Sequence, residues 1–268
     1  MDLSRCAQVM GILNVTPDSF SDGGLHADTA EALHHARGMI AEGAAIMDIG
    51  GESTRPGALA VDATEEIARV VPVVAALRAE WDGWISIDTS KAAVASAALA
   101  AGADIVNDVS GLLADPDMAV LCAASACGVV LMHRQGEPKT MQNAPRYADV
   151  VAEVQGFFAR RLDELVQAGI DPEALCFDPG IGFGKSLEHN LDLLRALERI
   201  GPPGRPLLLG VSRKSFIARI LGSDDLTRRD AATAALSAQA RAQGVMLHRV
   251  HAVRPNLDAL RMIEALVF

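Results

Sequence analysis

Residues 84–111, WISIDTSKAAVASAALAAGADIVNDVSG, hold two short apolar runs on either side of an alanine-rich segment. The runs at 85–88 and 104–107 are continuous rather than alternating, which is typical of strands buried on both faces. The segment 91–101 between them has the length and composition of a helix. A strand, a helix and another strand in this order require parallel pairing, so the stretch predicts one βαβ unit of a parallel sheet.

The same order recurs along the rest of the chain. Six further apolar runs end in polar clusters, and a helical stretch separates most neighbours: MGILNVTPDSF (10–20), IMDIGGESTRP (46–56), VVLMH (129–133), LCFDPGIGFGK (175–185), LLLGVSRKS (207–215) and HRVH (248–251). Eight such units predict an α/β fold of the closed (β/α)8 or TIM barrel type. The length of 268 residues suits one such barrel, so residues 1–268 are predicted to form a single domain.

Composition and charge narrow the classes of partner. Lys and Arg number 24 against 34 Asp and Glu, and the net charge of −10 disfavours nucleic acid and anionic membranes as partners. The longest nearly apolar stretch, 119–132, is shorter than the roughly 18 to 20 residues that a spanning helix needs. No export signal is visible at the N-terminus, which predicts a cytoplasmic protein. The cysteines lack C-x-x-C spacing and are predicted to be reduced core thiols: Cys6, Cys122, Cys127 and Cys176.

Polar residues close the predicted strands. They are Asn14, Asp48, Glu52, Asp88, Asn107, Asp108, His133, Asp178, Lys214, Arg249 and His251. The carboxyl ends of all strands in such a barrel meet at one mouth, where the active sites of these enzymes lie. So many polar groups are costly to bury unless they line a site, and we therefore expect the site at this mouth.

Cations after the last two strands indicate an anion site. SRKS (212–215) opens a predicted helix, and Arg249 and His251 end the eighth strand. Helix N–H groups and Arg or Lys donors converge on phosphate at this place in many barrels. Arg213 could instead pair with a surface carboxylate.

Asp88, Asn107 and Asp178 end three different strands and are expected to face one cavity. A carboxylate accepts two parallel N–H bonds and an amide both donates and accepts, which suits the edge of an aminopyrimidinone ring. A magnesium cage and structural salt bridges are the competing interpretations of this trio.

Glycines and turn formers mark the remaining loops. Long loops follow the first two strands, TPDSFSDGG (16–24) and GESTRPG (51–57), and their Asp18, Asp22 and Glu52 could act as acid, base or cation stabiliser. An Asx turn at Asp18 is an alternative. The three glycines of 179–185 would let the backbone approach a ligand closely. Thr64 and Asn256 are the predicted N-caps of two helices.

The motifs together resemble the dihydropteroate synthase family in order and spacing over the whole chain. They are MGILNVTPDSFSDGG, DIGGESTRPG, SIDTSK, NDVSG, LMH, DPGIGFGK, GVSRKSFI and RVH. The resemblance implies a transferase of folate biosynthesis that joins 6-hydroxymethyl-7,8-dihydropterin diphosphate to 4-aminobenzoate. It also implies Mg²⁺ as cofactor, sulfonamides as competitors, and a homodimer formed through the later helices.

The resemblance assigns roles position by position. Asp88, Asn107, Asp178 and Lys214 would hold the pterin, and Asn14 would bind Mg²⁺ with the diphosphate. The diphosphate would meet Arg249, His251, Thr54 and Arg55. The aminobenzoate slot would consist of Phe183, Pro56, Ser212 and the Lys214 stem. Asp22 would steady a carbocation-like methylene while Phe20 helps to close the first loop.

Two positions depart from the family pattern. Ala252 stands where RVHDV has an Asp that could orient His251, and Arg134 follows the LMH motif where a Met is usual. Two other functions remain open at this point. A pterin-dependent methyltransferase acting on a corrinoid would share the pterin carboxylates without the diphosphate cations, and a silent paralogue would bind pterin without turnover.

Overall fold

The sheet consists of parallel strands that alternate with helices along the chain. The computed structural model describes residues 6–16, 24–53, 61–137 and 140–267, and of 24–28 only the backbone. The strands are β1 Gln8–Asn14, β2 Ile46–Gly50, β3 Trp84–Asp88, β4 Ile105–Asp108, β5 Gly128–Met132, β6 Leu175–Asp178, β7 Leu208–Leu209 and β8 Leu247–Val250. The helices are α1 Gly24–Glu42, α2 Ala63–Glu80, α3 Ala92–Ala100, α4 Met118–Ser125, α5 Val150–Gln167, α6 Leu187–Arg195, α7 Leu197–Ile200, α8 Ser215–Leu221, α9 Leu226–Ala242 and α10 Val253–Val267, with a 3-10 turn at Pro172–Ala174.

The strands follow the order β6-β5-β4-β3-β2-β1-β8-β7, and all pairs are parallel. A bridge between Phe177 and Leu207 joins the two ends of the sheet, with the Phe177 N–H donating to Pro206 O at 3.1 Å. The predicted single-domain (β/α)8 barrel is therefore confirmed.

Two apolar clusters fill the fold. The smaller cluster plugs the barrel lumen with Met10, Ile46, Ile105, Val130, Cys176, Leu208 and Leu247. The larger cluster lies between the sheet and the helices, where Phe158 and Phe177 meet edge to face at 5.1 Å. The plug confines polar chemistry to the lumen above it. Among the described residues, no helix has the length and apolar character needed to cross a membrane.

Some local predictions were wrong. Asp62, not Thr64, caps α2 by accepting from the Glu65 N–H at 2.9 Å. Asn256 lies inside α10, where it is buried and its Oδ1 accepts from Ser237 Oγ at 2.7 Å. Cys6 is exposed rather than a core thiol, whereas the other three cysteines are buried and free.

Two element boundaries also differ from prediction. The seventh strand, predicted over 206–211, has only two ladder residues. Pro206 has no N–H to donate, which limits pairing at its start. The helix expected near Pro116 begins at Met118.

Candidate active site at the carboxyl ends of the strands

The predicted trio of polar residues comes together at one mouth of the barrel. Asp88 and Asn107 are register partners at the ends of β3 and β4, and Asp178 ends β6. All three are buried. A carboxylate oxygen of Asp178 and the stem of Arg249 lie beside Gly210, so the β6 and β8 side chains share the same lumen. The geometry fits a flat polar ring held by its edge.

Arg249 crosses this lumen from β8. Its Nε donates to Asp48 Oδ2 at 2.6 Å and its Nη2 donates to Asp88 Oδ2 at 2.7 Å. Burial opposes the charge of Arg249, but Asp48 and Asp88 outweigh it and the pKa of Arg249 is raised. Burial raises the pKa of Asp88 to about 7, although Arg249 acts in the opposite direction. Arg249 therefore holds two carboxylates in place.

Lys214 precedes α8 and points into the same space. Its Nζ donates to Ile181 O and lies 4.4 Å from the centre of the Phe183 ring. Burial lowers the pKa of Lys214 to about 8, with Asp178 opposing and Arg249 adding to the shift. Lys214 Nζ could therefore donate a hydrogen bond to an acceptor atom of a ligand bound in this space.

The glycines after β6 allow close packing of two loops. Gly180 and Gly184 have positive φ, and a Cβ at these positions would meet His133 O at 1.9 Å and Gln135 O at 2.2 Å. The sequence predicted that these glycines let the backbone approach a ligand. At Gly180 and Gly184 the backbone instead approaches the neighbouring loop.

Lys185 follows these glycines and is buried, which the sequence did not indicate. Its Nζ lies 3.0 Å from His133 Nδ1 and donates to Phe183 O at 3.1 Å. Burial lowers the pKa of Lys185 to about 7, and the positive charge of Lys214 adds to the effect. Lys185 fixes the carbonyl next to the Phe183 ring, and His133 serves as its partner.

Ser212 and His251 connect the loops after β7 and β8. Ser212 Oγ lies 2.9 Å from His251 Nδ1 and accepts from the His251 N–H at 3.1 Å. The imidazole therefore has a polar partner at Nδ1 even though Ala252 cannot supply one.

The expectation that Arg213 joins an anion site was wrong. Its Nε and Nη2 each donate to a different oxygen of Asp230 at 2.7 Å. Arg213 has a φ of 57°, so the backbone turns its side chain toward α9. This is the surface carboxylate pairing that the sequence left as an alternative.

Two other carboxylates near strand ends form hydrogen bonds with residues outside the strands. Asp108 accepts from Ser90 Oγ and from the Ser110 N–H, each at 2.7 Å. Glu52 accepts from Lys91 Nζ at 2.5 Å and from the Val61 N–H at 3.0 Å. Asp108 and Glu52 thus do not join the trio of lumen residues.

Asn14 ends β1 opposite Gly50, at the same mouth. Its amide oxygen is a suitable ligand for Mg²⁺, which usually binds through one or two protein oxygens plus substrate phosphate and water. No group of three or more His, Cys, Asp or Glu able to hold a metal occurs in 6–16, 24–53, 61–137 or 140–267. Six residues that the sequence predicts to act in the site lie outside the described residues: Asp18, Phe20, Asp22, Thr54, Arg55 and Pro56.

Comparison with known proteins identifies the family. The family model described as pterin binding enzyme matches residues 10–251. A dihydropteroate synthase of Mycobacterium leprae is 50% identical over 264 residues, covering 96% of this chain and 93% of the relative. The chain belongs to the dihydropteroate synthase family.

Solved dihydropteroate synthases have the same fold. The Yersinia pestis enzyme in a sulfonamide drug complex has a TM-score of 0.93 and 46% identity, covering 99% of this chain and 96% of that one. The Xanthomonas albilineans enzyme with 4-aminobenzoic acid has a TM-score of 0.92 and 45% identity, covering 99% and 94%. The family activity is a transferase reaction of folate biosynthesis, which condenses 6-hydroxymethyl-7,8-dihydropterin diphosphate with 4-aminobenzoate to dihydropteroate and diphosphate.

Proposed function

We propose that the lumen above the apolar plug binds the dihydropterin ring by its edge. Asp178 would accept from two N–H groups of the aminopyrimidinone, and Asn107 and Asp88 would complete the edge. Lys214 would leave Ile181 O and donate to a ring acceptor. The convergence of these four groups above one apolar layer carries the proposal.

The aminobenzoate would enter beside this ring. The Phe183 ring already lies 4.4 Å from Lys214 Nζ and would form one wall with the Lys214 stem. Ser212 lies in the next loop. Pro56 would close the slot from the loop after β2. The binding of 4-aminobenzoic acid by the X. albilineans relative supports this assignment. Sulfonamides would compete for the same slot, as the Y. pestis complex suggests.

The diphosphate would lie toward the ends of β8 and β1. His251 would contact it, and Arg249 would do so if it gives up a carboxylate partner; Thr54 and Arg55 would join from the loop after β2. Asn14 would help to hold Mg²⁺ at the diphosphate. When bound, Mg²⁺ would neutralise charge on the leaving group.

The reaction breaks the bond between the pterin methylene carbon and the diphosphate oxygen and forms a bond from that carbon to the amine nitrogen. We propose that C–O cleavage runs ahead of amine attack. Cations near the departing oxygens then stabilise the charge that develops on them. Asp22 would steady the positive methylene, and Phe20 would help to exclude water from it. The amine gives up one proton as dihydropteroate forms.

The direct test is diphosphate release with Mg²⁺, with and without 4-aminobenzoate, together with mass detection of dihydropteroate. We expect release coupled to product, and loss of at least about 100-fold in turnover for Lys214→Ala and Asp178→Ala with the barrel still folded. Cys122→Ser is the matched control and should keep turnover. Full activity in either site variant contradicts the assignment, and pterin binding without product favours the silent paralogue.

We also propose a cytoplasmic homodimer. Apolar side chains are exposed on the later helices, at Ile220 of α8, Leu226 of α9 and Met262 of α10. Such side chains are suited to a subunit interface. Light scattering after size exclusion should give twice the chain mass of 28.2 kDa, and a monomer at micromolar concentration contradicts the dimer.

A further inference from the structure

Asp48 lies one layer below the polar mouth. It is on β2, two residues before the strand ends at Gly50, and none of its surface is exposed. Its register partner on β3 is Ser86, whereas Gly50 pairs with Asp88. Because side chains alternate along a strand, Asp48 faces the lumen one pleat beneath Asp88. Asp48 therefore lies beneath the residues that line the mouth.

One oxygen of Asp48 holds two residues of the pocket. Its Oδ2 accepts from Asn107 Nδ2 at 3.2 Å and from Arg249 Nε at 2.6 Å. Arg249 in turn donates from Nη2 to Asp88 Oδ2 at 2.7 Å. Asn107, Asp48, Arg249 and Asp88 thus form one continuous chain of hydrogen bonds.

This contact fixes which way the Asn107 amide points. An ionised carboxylate only accepts, so the amide must present Nδ2 to Asp48. The reverse orientation would set a carbonyl oxygen against a buried carboxylate and leave both without a donor, which is unfavourable. Asn107 therefore turns Oδ1 and its second N–H away from Asp48.

The same oxygen also fixes the plane of Arg249. The guanidinium is a rigid fork, and Nε and Nη2 lie on one edge of it. With Asp48 on Nε and Asp88 on Nη2, rotation of this fork breaks two charged hydrogen bonds. The orientation of Asp88 depends on that of Arg249.

We propose that Asp48 is a positioning residue for pterin recognition, whose Oδ2 sets the donor and acceptor pattern that Asn107 and, through Arg249, Asp88 present to the ring. This inference rests on the proposed function. The alternative is a purely structural role, in which Asp48 neutralises Arg249. That role requires the negative charge of Asp48, whereas positioning requires only its acceptor oxygen.

Three substitutions separate these roles. Asp48→Asn keeps an acceptor oxygen for both donors and loses the charge. Its new NH2 group can occupy the place of Oδ1, which has no hydrogen-bond partner among the described residues. Asp48→Leu has nearly the same shape and loses the acceptor as well. Asp48→Ser is a smaller replacement that also fails to reach both donors.

Glu264 offers a matched control at the opposite end of the barrel. Its Oε1 likewise accepts from two donors, the Arg241 Nε at 2.7 Å and the Ala7 N–H at 2.6 Å. Glu264→Leu therefore removes the same kind of interaction away from the lumen. It reports the effect of general destabilisation on binding.

The measurement is calorimetric titration of 6-hydroxymethyl-7,8-dihydropterin diphosphate into each folded variant, with steady-state KM for 4-aminobenzoate. We expect Asp48→Leu and Asp48→Ser to weaken the pterin Kd by roughly 10- to 100-fold, the equivalent of one or two misplaced hydrogen bonds. Asp48→Asn should stay within about threefold of the parent, and Glu264→Leu within about twofold. The KM for 4-aminobenzoate should change less than about twofold in all of them.

Two results overturn the inference. One is parental pterin affinity in Asp48→Leu or Asp48→Ser. The other is equal weakening in Asp48→Asn and Asp48→Leu, which assigns the effect to charge. If Asp48→Leu does not fold, Asp48→Ser and Asp48→Asn give the same comparison. A parent protein that binds no pterin refutes the proposed function instead, so the two failures are distinct.

Discussion

The charge of Lys214 should set an alkaline limit on activity. Lys214 must be protonated to donate to a ring acceptor, and burial lowers its pKa to about 8. The pH dependence of kcat/KM reports ionisations of the free enzyme, so the relevant equilibrium is the protonation of Lys214 before the substrate binds. With a pKa near 8, about 90% of Lys214 is charged at pH 7 and about 10% at pH 9. We therefore expect kcat/KM for the pterin diphosphate to fall roughly tenfold between these two pH values.

Deprotonation of Lys185 could produce a similar fall in kcat/KM, the descending limb of the pH profile, because its pKa is lowered to about 7. Two variants separate the lysines. Lys214→Arg stays charged throughout this range, so its profile should be flat from pH 7 to 9 even if its activity is lower. Lys185→Met should keep the descending limb at or above pH 8, because removing a neighbouring positive charge can only raise the pKa of Lys214.

The assay is diphosphate release at low pterin concentration from pH 6 to 9.5, with stability checked at each pH. A profile for the parent that is flat up to pH 9.5 refutes the role of Lys214 charge. So does an unchanged limb in Lys214→Arg. Loss of the limb in Lys185→Met would transfer the titration to Lys185.

Three further changes have defined outcomes. Ser212→Ala removes the partner of His251 Nδ1 and should raise the KM for pterin diphosphate roughly five- to tenfold in steady-state kinetics, with Ser212→Thr restoring it; an unchanged KM contradicts the contact. Burial lowers the pKa of His248 to about 4, so below pH 6.5 the unfolded chain takes up a proton that the folded state does not, and stability is lost as pH falls. Urea unfolding should show His248→Gln gaining about 2 kcal/mol on the parent between pH 8 and pH 5, and a constant difference would refute this. Phe158→Ala empties a fully buried site and should cost about 3–5 kcal/mol of unfolding free energy, and a loss below about 1 kcal/mol would show that the core collapses into the space.

The strands were predictable because the barrel buries them on both faces. Trp84–Asp88 and Leu175–Asp178 agree with the predicted runs to within one residue. The continuous apolar pattern has a direct physical cause there. The seventh strand was not predictable in length, since the number of ladder bonds near Pro206 depends on how the sheet ends meet.

The direction of side chains was harder to infer than their position. Asp108 follows Asn107 directly, so strand alternation puts the two on opposite faces, and that signal was available in the sequence. Arg213 is different, because its positive φ turns it toward Asp230 and no local pattern indicates this. Burial of Lys185 likewise depends on the packing of two loops that are about 50 residues apart in sequence, and so on tertiary structure.

Two cations of the lumen have acceptors within the protein, and this shapes how a substrate would bind. Lys214 donates to Ile181 O, and Arg249 donates to Asp48 and Asp88. A ligand must replace these contacts, so its affinity reflects the difference between two sets of hydrogen bonds rather than their sum. In the proposed binding mode, Asp48 would remain paired beneath the ring while the contacts above it are exchanged. A ligand whose donors do not match Asp178 and Asn107 would break the contact of Lys214 with Ile181 O without donating to the carboxylates. Buried polar groups would then be left unpaired. In the proposed binding mode, recognition of the ring edge would therefore rest on the cost of a mismatch, and that cost is greatest where the groups are most deeply buried.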